Sequence, residues 1–364
     1  MGCWQSTLET LALSARPDAR FWAGRKVLVT GHTGFKGAWL TQMLGLLGAD
    51  VTGLALPPTG KTHLYGLVGA QPWLKSHFID INDAAALQEL VRAVQPEIVL
   101  HLAAQALVRA SYEAPTLTFA TNVMGTINLM EALRPCPSLK ALLVVTTDKV
   151  YANLEIGQAF RESDGLGGHD PYSASKAACE IAVASWRQSF FAQAGIAVAT
   201  ARAGNVIGGG DFAPNRIIPD VFRAQQEGVT LTLRHPHATR PWQHVLDGLN
   251  GYLLYAEALA QQRGVPNALN FGPTGAPLAV ASVVEAMQAA LGAAPGWKLA
   301  DGPQVHEAGL LALDSRAARA ALGWRDQFDS AAALARTAAW YGNFARGADM
   351  RAYGDAELKA FMGL

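Results

Sequence analysis

Cysteine is scarce: three residues in 364, at positions 3, 136 and 179. Three scattered thiols exclude a disulfide framework and a cysteine-based zinc site, so no metal is expected. Cys179 reads as a small packed apolar residue. Net charge is missing too: 29 Lys and Arg balance 29 Asp and Glu. A neutral chain gives no global reason to bind nucleic acid. No uninterrupted apolar run approaches the ~20 residues of a membrane span. The opening stretch, Met1 to Arg20, has neither a basic start nor a long apolar core. It reads as an extension with room for a short helix, not a signal peptide. A cytoplasmic location, with no membrane and no nucleic-acid partner, is the expectation.

What is present is a large apolar content, 50% of residues, enough for one large or two intimately joined domains. Apolar runs alternate with helical patterns over the first two-thirds, which predicts an α/β fold with a doubly wound parallel sheet. Strands are expected at 26–30, 50–56, 76–80, 97–102, 141–146 and 197–201. Helices are expected at 37–47, 84–94, 116–133 and 173–194. From about Gly208 the Gly and Pro content rises and the alternation weakens. The expected organisation is an extension (1–20), a nucleotide-binding domain (21–207, rejoined at about 243–273) and a smaller C-terminal substrate-binding domain (208–242 and 274–364).

Gly31-His-Thr33-Gly34-Phe35-Lys36-Gly37 follows the first strand and opens a helix. The glycines allow a tight turn and a close approach to a pyrophosphate, which the helix N-terminus attracts. Main-chain N–H groups do this work, so the side chains of His32 and Lys36 need touch nothing. The acid that ordinarily ends the second strand is missing: Leu54-Ala-Leu56-Pro57 stands there. No Arg follows to meet a 2′-phosphate, so NAD and NADP both remain open. Asp80-Ile81 either contacts the adenine or merely caps a turn.

Chemistry in such sheets sits at the carboxyl ends of the strands. Thr146, Thr147, Asp148 and Lys149 end the fifth strand, and Tyr172 and Lys176 open the next helix. Four apart, Tyr172 and Lys176 share a helix face. An ammonium beside a phenol lowers the phenol pKa and makes a base near neutrality. Trp39, Trp186 and Trp242 read as core.

These motifs together resemble the extended short-chain dehydrogenase/reductase family. The likeness rests on the glycine turn, His101-Leu102-Ala103-Ala104, Thr147 and the Tyr172/Lys176 pair. Within that family, Thr147-Asp148-Lys149 resembles the nucleotide-sugar 4,6-dehydratases, with the CDP-glucose branch nearest. That branch is indicated by Phe21-Trp-Ala-Gly24, Gly167-Gly-His-Asp-Pro-Tyr172, Gly204 to Asp211, His237 to His244 and Asn270-Phe-Gly-Pro273. The likeness runs from about Phe21 to Trp324.

The resemblance implies a Rossmann-type fold, NAD as a recycled cofactor, a nucleotide-sugar substrate, a homodimer built on two helices, and a place in deoxysugar supply. It implies that Tyr172 takes the proton of the sugar 4-hydroxyl, helped by Thr147 and Lys176. A hydride leaves C4, Lys149 removes the C5 proton, Asp148 protonates the departing 6-hydroxyl, and the hydride returns to C6. Asp148 needs a raised pKa for that task. The dTDP-glucose relatives carry Glu where Lys149 stands, which favours CDP-glucose. Leu102, Ala103, Ala104, Gln105, Thr121 and Thr146 join the cofactor set. A diphosphate asks for cations, and Arg216 and Arg240 match nucleotide-binding positions, as does His306. Asn205, Gln105 and Arg109 are further substrate candidates, although Arg109 can equally pair with Glu113. A 4-epimerase, a dehydratase of another nucleotide hexose and a non-catalytic NAD-binding sensor are the alternatives.

Overall fold

The structure is a computed structural model that describes residues 15–153, 157–294, 296–302 and 311–364. Cys3 and His306 lie outside the described residues. Seven parallel strands form the central sheet: β1 (Lys26–Thr30), β2 (Asp50–Ala55), β3 (Leu74–Phe78), β4 (Ile98–His101), β5 (Ala141–Val145), β6 (Ala197–Ala203) and β7 (Ala268–Phe271). Their spatial order is β3-β2-β1-β4-β5-β6-β7. The expected doubly wound parallel sheet is therefore present. Strands covered on both faces should be apolar throughout, and Ala-Leu-Leu-Val-Val of β5 is buried at every residue. The order reverses between β1 and β4, which opens a crevice at their carboxyl ends.

Helices cover both faces. α1 (Phe35–Leu46) begins at the glycine turn. α2 (Ala84–Val94) is capped by the Asp83 carboxylate, which accepts from the Ala86 N–H. α3 (Gly125–Leu133) continues a helical run that starts at Pro115–Phe119. α4 (Pro171–Trp186) starts with Pro171 at its first position and Asp170 as its cap, a strong start signal. α5 (Val245–Ala260) is buried along nearly its whole length, and the chain runs from it into β7.

Three expectations shift. The third strand is 74–78, not 76–80; this edge strand has no fully buried residue, so its apolar pattern marks its ends poorly. The two long helices are not uniform α-helix. Ala120–Met124 and Arg187–Phe191 are π-helical turns, which apolar spacing does not reveal. The extension is tied down from Ala15: Ala15 N–H donates to Gly323 O, Asn250 Nδ2 to Ala15 O and Asp18 N–H to Glu257 Oε2. The far end is equally integral, since Trp340, Tyr341, Leu358 and Phe361 join the same core as β1. Among the described residues no helix is long and apolar enough to cross a membrane.

One buried network ties α4 to the sheet. Arg202 on β6 donates to both oxygens of Glu180 at 2.9 and 2.8 Å. Thr146 and Thr200 donate to the same carboxylate at 2.5 and 2.8 Å, and Arg202 also reaches Tyr151 Oη at 2.9 Å. Four donors satisfy a charge that water cannot reach. Arg202→Met should cost about 3–5 kcal/mol in urea unfolding, because Glu180 is left uncompensated. A loss under about 1 kcal/mol would show that the pair matters little to stability.

Candidate active site

The carboxyl ends of β1, β4, β5 and β6 open into a cleft of about 900 Å³. Every site residue expected from the sequence lines it, apart from His306.

At one end lies the glycine turn. Gly31 has φ +77°, and a Cβ there would meet Ala103 N at 2.8 Å. A Cβ on Gly37 would meet Gly31 O at 2.1 Å. Backbone thus packs on backbone, and the first N–H groups of α1 face the cleft without side chains in the way. That cradle fits a dinucleotide pyrophosphate. The side chains of His32 and Lys36, expected to be idle, are not. His32 is fully buried against Gly53, Tyr65 and Phe78. Lys36 is half-buried and donates to Tyr252 Oη at 3.2 Å. Burial, then the neighbouring Arg216 and Lys176, hold its ammonium down to about 7, while Asp148 pulls the other way. The signal available in the sequence was a lone cation in a glycine turn; its partner, Tyr252, is 216 positions away.

Behind the turn, Thr30 Oγ1 accepts from the N–H groups of Leu102 and Ala103 at 3.1 Å. Its hydroxyl proton is then free for His101 Nδ1, 2.6 Å away. That assigns the other proton to His101 Nε2, which donates to Thr126 Oγ1 at 2.8 Å. Burial keeps this imidazole neutral, with a pKa pushed down to about 3. The chain of bonds fixes the loop Leu102 to Gln105.

Thr147, Asp148, Tyr172 and Lys176 meet at the centre. Asp148 starts a short 3-10 turn, and Thr147 Oγ1 donates to its Oδ1 at 3.0 Å. The other oxygen, Oδ2, is buried with no partner. Burial raises the Asp148 carboxyl; Lys149, Thr147, Arg240 and Lys36 pull it back down. Lys149 is half-buried on the cleft wall. Lys176 Nζ donates to Val145 O at 3.1 Å, and burial lowers its pKa. Lys176 is not among the strongest influences on the Tyr172 phenol. Burial pushes the Tyr172 phenol up to about 12, and the Asp148 charge raises it too, against a hydrogen bond with Thr147 and the charge of Arg216. The bond to Val145 O uses one of the three ammonium donors of Lys176.

Also lining the cleft, Arg216 pairs with Asp211 at 2.9 Å. Arg240 is buried, donates to Thr239 O and lies near enough to Asp148 to lower its pKa. Arg109 does not pair with Glu113; its Nη1 donates to Asn215 Oδ1 at 3.1 Å. Asn205 faces the cleft while its carbonyl accepts from Gln243. The Gln105 carboxamide is consumed locally by Leu107 and Thr118, which removes it from ready contact with a sugar. Asp80 Oδ1 accepts from Asn82 N–H and Nδ2 at 2.9 and 3.0 Å, so it does cap a turn. Trp39 and Trp242 are buried; Trp242 also walls the cleft.

A family model described as the NAD dependent epimerase/dehydratase family matches residues 27–272. A CDP-glucose 4,6-dehydratase of Salmonella typhimurium is 40% identical over 352 residues, spanning 95% of this chain and 98% of that protein. The dTDP-glucose 4,6-dehydratase DesIV of Streptomyces venezuelae, solved with NAD bound, is 27% identical with a TM-score of 0.76, over 88% of this chain and 98% of that one. The UDP-glucose 4-epimerase of Thermus thermophilus, solved in complex with NAD, is 26% identical with a TM-score of 0.76, over 86% and 98%. With its sheet order, glycine turn and Tyr172/Lys176 pair in one cleft, the chain belongs to the NAD dependent epimerase/dehydratase family.

Proposed function

We propose that this enzyme dehydrates CDP-glucose to CDP-4-keto-6-deoxyglucose. The observation that carries the reading is Asp148: a buried carboxyl with a raised pKa and one unpartnered oxygen, beside Tyr172 and Thr147. Interconverting two 4-hydroxyl epimers needs no such acid; expelling a hydroxyl as water does. The likeness to the Salmonella CDP-glucose enzyme supports the choice of nucleotide.

The glycine turn would hold NAD, which would accept a hydride from C4 of the sugar and give it back to C6. Tyr172 Oη takes the proton of the 4-hydroxyl, and Thr147 holds that oxygen. Lys176 holds the end of β5 through Val145 O and keeps a cation beneath the phenol. Lys149 removes the C5 proton, made acidic by the adjacent ketone, and C5 is reprotonated when the hydride returns to C6. Asp148 delivers its proton to the departing 6-hydroxyl. Arg216 and Arg240, both lining the cleft, meet the diphosphate. The test is to run CDP-, dTDP-, UDP- and GDP-glucose side by side and assay the 4-keto product by its absorbance in alkali. Preferential turnover of CDP-glucose supports the proposal. A C4-inverted sugar without ketone would make the enzyme an epimerase.

The same reading gives a homodimer. Phe119, Met124 and Ile181 are exposed on the outer helices that include α4, with Phe190 in the following π turn. Apolar groups presented together on one layer ask for a cover, and a second copy offers the same surface. Ile181→Glu should convert the dimer to a monomer in light scattering. A dimer that survives it uses another face.

A further inference from the structure

We infer that this protein discriminates weakly between NAD and NADP, and that Leu56 is the residue responsible. The inference rests on a dinucleotide occupying the cleft. In folds of this kind an acid at the end of the second strand binds the adenosine ribose hydroxyls and repels a 2′-phosphate. Here β2 ends at Ala55, and the next residue is Leu56. Leu56 walls the cleft, is 57% exposed, and is pinned beside the glycine turn because Thr33 Oγ1 donates to its carbonyl at 3.0 Å. It neither accepts from a hydroxyl nor repels an anion.

The residues directly after Leu56 offer a phosphate no donor either, and the first cation of the segment, exposed Lys61, does not line the cleft. Pro57 and Pro58 follow directly, and proline has no N–H to donate. At the neighbouring strand end the wall continues with half-buried Ile79 and then Asp80. Among the described residues, Asp80 is the one carboxylate lining this end of the cleft. It is exposed, and one of its oxygens is committed to Asn82. A hydrated carboxylate acts on a hydrated phosphate through water, where charge interactions are weak. The 2′-position therefore meets an open, apolar rim with one screened negative charge.

Binding isotherms on the full-length protein stripped of cofactor, read by quenching of tryptophan fluorescence, test this. The Kd for NADP should lie within about tenfold of that for NAD. Leu56→Asp should widen the gap to about a hundredfold, by tightening NAD and weakening NADP. Asp80→Asn should narrow the wild-type gap by only a few-fold. NAD binding with NADP weaker by about a hundredfold or more in the wild type overturns the inference and leaves the dinucleotide cleft standing. An unchanged ratio in Leu56→Asp overturns the role of Leu56. Binding of neither dinucleotide overturns the cleft assignment itself.

Discussion

Tyr172→Phe should lower kcat/KM by roughly a hundredfold to ten-thousandfold, the range of a lost general base, while the protein stays folded. The ring is 8% exposed and keeps its packing. Only a hydroxyl is lost, and its partner Thr147 still has Asp148 to donate to. Unfolding should therefore shift by no more than about 1 kcal/mol. The size of the kinetic loss follows from the site. A phenol held up to about 12 is a reluctant acid in this environment, so every cation that approaches it matters, and no neighbouring group can take its place at the same atom. Near-normal turnover by the variant would remove Tyr172 from the chemistry.

Asp148→Asn should cost a similar factor, at a later stage. Asparagine keeps the shape and the bond from Thr147 but has no proton to give a leaving hydroxyl. Oxidation at C4 should survive, so the near-ultraviolet absorbance of reduced nicotinamide should build up after mixing with CDP-glucose. An unchanged steady rate would show that another acid serves. The pH dependence has a definite sign. Burial raises this carboxyl above 3.8, so the folded state holds the proton more tightly than the unfolded chain. Its contribution to stability is greatest at low pH and is lost as pH rises from about 3.8 through the raised folded value. Its usefulness as an acid is lost over the same upper limb. Asp148→Asn should flatten both dependences, and removing the charge should also ease ionisation of Tyr172.

Much of this site was legible in the sequence because its parts are local. The glycine turn, the run Thr146 to Lys149 and the Tyr172/Lys176 spacing each fit within a turn or two of chain. Strands buried on both faces announce themselves as apolar runs. What escaped was whatever depends on who the neighbours are. Lys36 takes its character from Tyr252, Arg216 and Lys176, none of them near it in sequence. Arg109 was open to a sugar contact or to Glu113 one helical turn away, and it bonds Asn215, far off in sequence. Gln105 looked available, but its amide is consumed by its own loop. Spacing gives the distance from Tyr172 to a lysine but not its burial, which raises the phenol.

The π turn at Ala120–Met124 has a consequence for chain length. A π turn holds one residue more than the α turn it replaces, and the helix on either side keeps its phase. Here the widened turn sets Thr121 on the cleft wall and Asn122 against the main chain of Gln105 and the Ser175 hydroxyl. Pro115–Phe119 and α3 meanwhile stay in register with the core. The extra residue is a stored insertion. Deleting it would let the helix heal into regular α geometry, with Leu129, Met130 and Leu133 still buried, and would cost only the aim of two side chains. Selection can thus change what this helix presents to the cleft by altering its length by one, without altering what it presents to the sheet.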